Sequence, residues 1–274
     1  MGQVKVLKSG GLITIQDKGR IGYRRFGIPQ SGAIDPVGMQ MVNRAVGNEP
    51  DGPVIEYALS SLTLEAIEKS VLSVYGAAIK INNVASKFNT ITVSKGDIVL
   101  LSNPVMVYAY VSIGGEFQME RCLNSFSTYL PGKFGGYEGR CLRQGDIIQT
   151  QSLGQIGKTA SRYMEGSQIR FVQGPEWDSL TTPFEAMSFQ VSPNSNRMGI
   201  RLGGAKLESS LNEITSSAVI PGTVQLPQNG QPIVLLNDCQ TTGGYPRIGT
   251  VLPQDLGKLG QIKPGKEITL ICVN

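Results

Sequence analysis

Histidine is absent from the 274 residues of this chain. That absence removes histidine-based catalytic triads, imidazole acid–base catalysis and every histidine-containing metal site. Cysteine is nearly as scarce: Cys122, Cys141, Cys239 and Cys272 lie far apart, with no C-x-x-C pair. A cysteine-only zinc cluster has the count but not the spacing, and no metal is expected. Isolated thiols without a secretory signal fit a reducing compartment. The stretch Met1 to Ser9 alternates apolar and polar residues and contains no signal-peptide core. Nor does any apolar run approach the ~20 residues that a membrane-spanning helix needs. A strong charge of one sign is lacking too, since 25 Lys and Arg against 21 Asp and Glu leave a net +4. The basic residues are scattered; Arg20, Arg24 and Arg25, beside Tyr23 and Phe26, form the one local cluster. A single cluster outside a recognised module does not make a nucleic-acid surface. These absences predict a soluble cytoplasmic protein that takes neither nucleic acid nor membrane as a partner.

Glycine, by contrast, is abundant: 34 residues, roughly an eighth of the chain against ~7% in average usage. With 15 prolines and few helical periodicities, the composition predicts a mainly β fold of short strands joined by turns. Candidate strands in the first half include Val4–Leu7, Leu12–Ile15, Leu62–Ala66, Val71–Tyr75, Ile98–Leu101 and Val105–Ile113. In the second half they include Ile169–Val172, Phe189–Val191, Gly199–Leu202, Val224–Leu226, Ile233–Leu236 and Ile268–Val273. Most are β-branched and flanked by Gly, Pro, Asn or Asp. Three similar turns, Lys95-Gly96-Asp97, Gln144-Gly145-Asp146 and Pro264-Gly265-Lys266, each precede an apolar strand, where glycine supplies a positive φ.

Helices are few. The clearest begins at Asp35, a good N-cap, with Pro36 at the first helical position. Val37, Met41, Val42, Ala45 and Val46 give it an apolar stripe, and Gly47 closes it. Short helices are expected within Gln254–Leu259 and in part of Glu176–Met187, which Pro183 interrupts. The polar, glycine-containing stretch 151–166 reads as a linker between an N-terminal domain, 1–150, and a C-terminal domain, 167–274. Inside it, Ser152 to Thr159 is one residue away from a phosphate-binding loop. Ser152 stands where the first glycine belongs, and the run after Thr159 is too short to offer phosphates a helix N-terminus, so the match reads as coincidence.

Three segments carry more short polar side chains than a turn needs. In the first, the apolar run Ile233–Leu236 ends in Asn237, Asp238, Cys239, Gln240, Thr241 and Thr242, followed by Gly243, Gly244, Tyr245 and Pro246. A rigid strand that delivers polar groups to a glycine turn lets a small ligand approach backbone and side chains closely. The same residue types serve ordinary turns, so the segment alone fits either a binding site or a plain strand exit. The second segment holds Asp17 and Arg20 and runs on to Ser31 among small residues before the Asp35 cap. In the third, Ser192 to Asn196, including Asn194, leads to Arg197, which is placed to fork onto a carboxylate or phosphate.

Five blocks, Thr14–Pro36, Phe134–Asp146, Val191–Leu202, Thr223–Pro246 and QIKPGKEITL near the C-terminus, together resemble one family in order and spacing. It is the biotin-dependent carboxyltransferase-like family, also called allophanate hydrolase subunit 2. The family includes the C subunit of 5-oxoprolinase, the KipI antagonist KipA and the carboxyltransferase domain of urea carboxylase. The resemblance implies two cyclophilin-like β-barrel domains and a smaller KipI-like partner, the B subunit. It implies a chain that acts with subunits A and B to open 5-oxo-L-proline to L-glutamate. ATP would be a cosubstrate of the complex at a site not assigned to this chain. Two alternatives stay open: a kinase-inhibitor antagonist without catalysis, and a carboxyltransferase acting on a small amide. No biotin carrier segment is present, so no covalent biotin is expected. Homo-oligomerisation is compatible with everything read so far.

For a small amide or lactam, the resemblance gives the polar segments roles. Thr241 and Thr242 hydroxyls and the Gly243 and Gly244 N–H groups would donate to the developing oxyanion. Asp238 would accept the amide N–H or act as general base, and Arg197 or Arg20 would hold the substrate carboxylate. Asp17, Ser31, Asn194, Gln240 and Tyr245 would complete the binding surface. Cys239 reads as a packed residue, since no histidine exists to activate its thiol.

Overall fold

Burial with a period of two runs through the strands, as side chains that alternate across a pleated sheet require. In Leu62–Glu68 the residues Leu62, Leu64 and Ala66 are buried while those between are half-buried. A computed structural model describes residues 1–157 and 166–273. By its own contacts the chain divides into two units, Met1–Arg20 with Ser31–Arg162, and Ile21–Gln30 with Tyr163–Asn274. The boundaries 1–150 and 167–274 read from composition take no account of Ile21–Gln30, which folds with the second unit.

The first unit is built on two antiparallel sheets. One runs Ile147–Gln149, Gln3–Ser9, Leu62–Glu68, Ile98–Leu101, Ile79–Ile81, Val84–Ala85 from edge to edge. The other runs Leu12–Gln16, Val54–Ala58, Tyr108–Ile113, Ser70–Tyr75, Thr90–Val93. Val4, Val6, Leu62 and Leu64 from the first sheet and Ile13, Ile55, Leu72 and Val111 from the second share one core. Each such side chain, fully withdrawn from water, contributes about 1.5–3 kcal/mol. At the predicted turns Gly96 and Gly145 take φ of 87° and 95° with open space around them, so conformation alone selects glycine there.

Val54–Ala58 was not expected as a strand, because Glu56 interrupts its apolar run. The strand is buried throughout, and the Glu56 carboxylate accepts hydrogen bonds from Tyr110 Oη and the Ile34 N–H, both at 2.8 Å. Those partners make a buried carboxylate tolerable. Burial, reinforced by Glu56 and Asp35, holds the Tyr110 phenol well above its ordinary pKa.

Helix α1, Pro36–Ala45, starts as its sequence predicts: Asp35 accepts from Val37 N at 3.1 Å and Gly38 N at 3.0 Å. Gly47, at φ 77°, follows its end. Part of the stretch read as a linker straps this end, since Gln155 N–H donates to Val46 O at 3.0 Å and Gly157 N–H to Ala45 O at 2.8 Å. Two of the N–H groups that a phosphate loop would aim at a ligand are therefore engaged with carbonyls at this helix end. Lys158 and Thr159, and the rest of the predicted linker to residue 165, lie outside the described residues.

The second unit contains a closed seven-stranded barrel. Its order is Gln168–Gln173, Arg247–Val251, Thr223–Gln225, Ile233–Leu235, Gly199–Gly204, Ala186–Val191, Glu267–Cys272. The last strand closes onto the first by the barrel's one parallel pairing, Ile169 opposite Leu270. Arg247–Val251 had no strand signal because Gly249 breaks its pattern; a side chain at Gly249 would collide with the Phe171 ring. Of the helix expected within Glu176–Met187 only the single turn Trp177–Ser179 forms, and the chain has become strand by Ala186. Helix α2, Pro253–Gly260, brackets the expected Gln254–Leu259.

Candidate functional site

The polar residues picked out by sequence fall into two groups, one in each unit. In the first unit, Asp17 leaves the strand Leu12–Gln16 and is buried. Its carboxylate accepts four hydrogen bonds, from Gly19 N at 2.8 Å, Phe126 N at 2.7 Å, Ser125 Oγ at 2.6 Å and Ser127 Oγ at 2.5 Å. A carboxylate so saturated fixes the chain around it. Arg20 is fully buried, with its guanidinium 4.7 Å from the centre of the Phe134 ring and Nη2 bonded to Ser127 O. Gly135 lies against that guanidinium so tightly that a side chain would collide with it. Ser31 sits beside Gly32, whose N–H donates to Gln16 Oε1 at 3.2 Å. It is fully buried at φ 55°, a conformation that costs a non-glycine residue energy, and its Oγ has no hydrogen-bond partner among the described residues. A cavity of about 540 Å³ lined by Asp17, Lys18, Asn48, Glu116 and Arg121 opens in the same unit.

In the second unit, Arg197 and Asp238 meet directly. Arg197 Nε donates to Asp238 Oδ2 at 2.8 Å and Nη2 to Oδ1 at 3.2 Å, and Asp238 N–H donates to Arg197 O at 3.0 Å. Only 5% of Arg197 and 4% of Asp238 are exposed. Asp238, expected as acceptor of the amide N–H or general base, and Arg197, expected to hold the substrate carboxylate, thus engage each other in a forked, charge-assisted pair. Asn194 stands apart as an exposed turn residue, its N–H donating to Ser192 Oγ at 3.2 Å.

Beyond Asp238 the chain does not turn on its glycines. Thr242–Gly243 forms a short strand that pairs with Ser217–Ala218. Neither Gly243 nor Gly244 takes a positive φ. Gly243 is a glycine for space: a Cβ there would stand 2.5 Å from Gln225 Nε2. Val219 N–H donates to Thr241 O at 3.1 Å and Ile214 N–H to Gly244 O at 2.8 Å. The side chains of Gln240 and Thr241 are part-exposed, Thr242 is exposed and Tyr245 is 39% exposed.

Sequence reasoning missed what holds this segment. Arg24, from the excursion Ile21–Gln30, donates through Nη2 to Val219 O and, at 2.8 Å, to Gln240 O. Its Nη1 lies 3.8 Å from Cys239 Sγ. The three arginines clustered in sequence therefore do not share one basic face: Arg20 is buried in the first unit, and Arg24 braces the second. Cys239 is fully buried with Val219 and Leu235. Burial pushes its thiol above the ordinary pKa, with Arg24 acting in the opposite direction. Among the described residues no three Cys, Asp or Glu side chains stand close enough to hold a metal ion. No helix among them is long and apolar enough to cross a membrane.

The chain thus comprises two β units, one of them containing a closed barrel whose strand exit carries a braced row of amides and hydroxyls. The family model for the carboxyltransferase domain, subdomain A and B, matches residues 26–271, and the chain belongs to that family. It is 34% identical to the 5-oxoprolinase C subunit of Escherichia coli over 98% of its length and 90% of that protein's. To the 5-oxoprolinase C subunit of Haemophilus influenzae it is also 34% identical, over 99% of its length and 91% of the relative's. Among solved structures it is similar to Kluyveromyces lactis urea carboxylase, with a TM-score of 0.89 and 25% identity. There the match covers 99% of this chain but only 27% of the larger protein.

Proposed function

We propose that this chain is the C subunit of an ATP-dependent 5-oxoprolinase, acting with subunits A and B to add water across the lactam C–N bond of 5-oxo-L-proline and release L-glutamate. The observation that carries this reading is the end-to-end match, at 34% identity, to two proteins named as that subunit, each spanned to nine-tenths of its length. The likeness to urea carboxylase, at 25% identity, reaches only a quarter of that protein. The carboxyl-transfer alternative therefore rests on the shared domain alone. A regulatory antagonist needs no more than the shared fold, and no observation on this chain favours it.

Lactam opening requires a binding surface with fixed donors for the carbonyl oxygen. In this reading the Thr241 and Thr242 hydroxyls stand on a segment whose backbone is anchored from behind by Arg24 and by the pairing with Ser217–Ala218, so the segment is held in place before the ligand arrives. Preorganised donors of this kind stabilise the charge that builds on a carbonyl oxygen as its carbon is attacked. The Arg197–Asp238 pair sets the root of the segment, and in this reading Asp238 acts by fixing it. ATP is a cosubstrate of the complex, at a site not assigned to this chain.

Reconstitution tests the proposal. Subunits A and B with this chain should form glutamate from 5-oxoproline in step with ATP consumption, and omission of this chain should remove that activity. Full turnover without it would refute the assignment. An inactive three-subunit mixture that instead relieves a histidine-kinase inhibitor would favour the regulatory reading.

A further inference from the structure

Gln225 is a residue that sequence patterning gives no functional role. It ends the barrel strand Thr223–Gln225 directly opposite Ile233. Residues opposite each other on paired strands share a face, and Ile233 packs with Leu235, Val219 and Cys239. Gln225 thus stands on the side of the strand that carries the Asp238–Gly243 segment. A glutamine there is expected to reach water, yet only 2% of it is exposed.

Its amide is incompletely used. Oε1 accepts one long hydrogen bond, 3.4 Å, from Gln240 Nε2. Nε2 has no hydrogen-bond partner among the described residues and lies against Gly243, where a Cβ would come to 2.5 Å. A buried amide N–H without an acceptor is destabilising, and an apolar side chain of the same shape would be neutral or better. A donor kept at such a cost, beside residues already read as substrate-binding, calls for an acceptor that arrives from outside.

We propose that Gln225 is a binding residue of this site, donating from Nε2 to the ring carbonyl oxygen of the lactam. The amide is screened by the side chain of Gln240, which is part-exposed and held by the long bond, and by Gly243, which has no side chain. Entry of the lactam needs Gln240 to swing outward, a change that gives up one weak hydrogen bond. The carbonyl then supplies the acceptor that Nε2 lacks. The donor is neutral and buried, which suits a neutral carbonyl oxygen better than a carboxylate.

This inference rests on the 5-oxoprolinase reading, and its test uses the three-subunit complex. Gln225→Met keeps the length of the side chain and removes the amide. The expected result is a KM for 5-oxoproline raised about tenfold, the loss of one neutral hydrogen bond, with an unchanged or higher melting temperature of this chain. Gln225→Asn keeps an amide but withdraws it by one methylene, and should raise KM likewise; it decides the matter if the Met variant fails to fold. An unchanged KM would overturn the inference while the wild-type complex remains active. So would a lowered melting temperature with KM intact, which marks a purely structural glutamine. A wild-type complex without 5-oxoproline turnover would overturn the functional reading, and this inference with it.

Discussion

Arg197 and Asp238 show how far a residue's type can mislead about its task. Each was legible as a polar group leaving a strand, but their pairing across 41 positions was not, because spacing carries no information about which side chains meet. Asp238→Asn preserves shape while withdrawing the carboxylate charge that faces a buried guanidinium. The expected cost is about 3–5 kcal/mol, read as a lower urea midpoint, with turnover falling as the segment loses its root. An unchanged midpoint with abolished turnover would instead mark Asp238 as the acid–base group its sequence position suggested. Cys239 makes the opposite case, since its reading as a packed residue agrees with its full burial. With its thiol pushed up by that burial, Cys239 should alkylate far more slowly than an unhindered thiol. Cys239→Ala should retain turnover; an inactive variant of wild-type stability would overturn this account. Gln225 was invisible for a simple reason: one glutamine in a short alternating strand is read as facing water.

At the scale of elements, the sequence is most readable where one rule decides. The cap and first turn of α1 follow from Asp35 and Pro36, and the three glycine turns follow from φ: Gly265 adopts 83° with open space around it. Strands disappear from view where tertiary contacts override the pattern, as with Glu56 inside Val54–Ala58 and Gly249 inside Arg247–Val251. Helix α2 is tied to the first barrel strand by Asp255, which accepts from Arg170 Nε at 2.8 Å, Nη2 at 3.0 Å and the backbone N–H at 3.0 Å. Burial raises the Asp255 pKa, but these hydrogen bonds outweigh it and bring the carboxyl to about 2. A carboxyl lowered on folding adds stability above its unfolded value, near 3.8, and loses it as pH falls from there through about 2. Asp255→Asn should therefore be less stable than wild type by about 1.5–3 kcal/mol near neutrality. That gap should narrow as pH drops below about 4; a gap constant with pH would show that ionisation plays no part. The strand Thr242–Gly243 yields a further expectation. Gly243→Ala places a methyl 2.5 Å from the Gln225 amide nitrogen, the end of a flexible side chain that can shift, so the cost should fall at or below the ~1 kcal/mol lower end for core overpacking. The melting temperature should fall even though no positive φ is involved.

For the molecule as a whole, a mainly β chain was legible from glycine, proline and short apolar runs, and the family from five ordered blocks. The assignment of Ile21–Gln30 to the second unit was not legible, since composition finds boundaries only where the chain changes character. The excursion has a measurable consequence. A fragment spanning residues 167–274 lacks Arg24, and with it the donor that joins Val219 O to Gln240 O. It should be less stable than the same unit in the intact chain, and a peptide covering residues 21–30 added in trans should recover part of the loss. Equal stability with and without the peptide would show that the excursion is only attached to the barrel.

Arg24 reaches partners 195 and 216 positions further along the chain. During synthesis at roughly 5–20 residues per second, Arg24 is incorporated ~10–40 s before those carbonyls exist. Through that interval Arg24 lacks the carbonyls it will bind in the second unit. Assembly of the second unit thus waits on two ends of one translation product, and a message truncated before Gln240 yields a chain in which Arg24 lacks one of its two carbonyl acceptors.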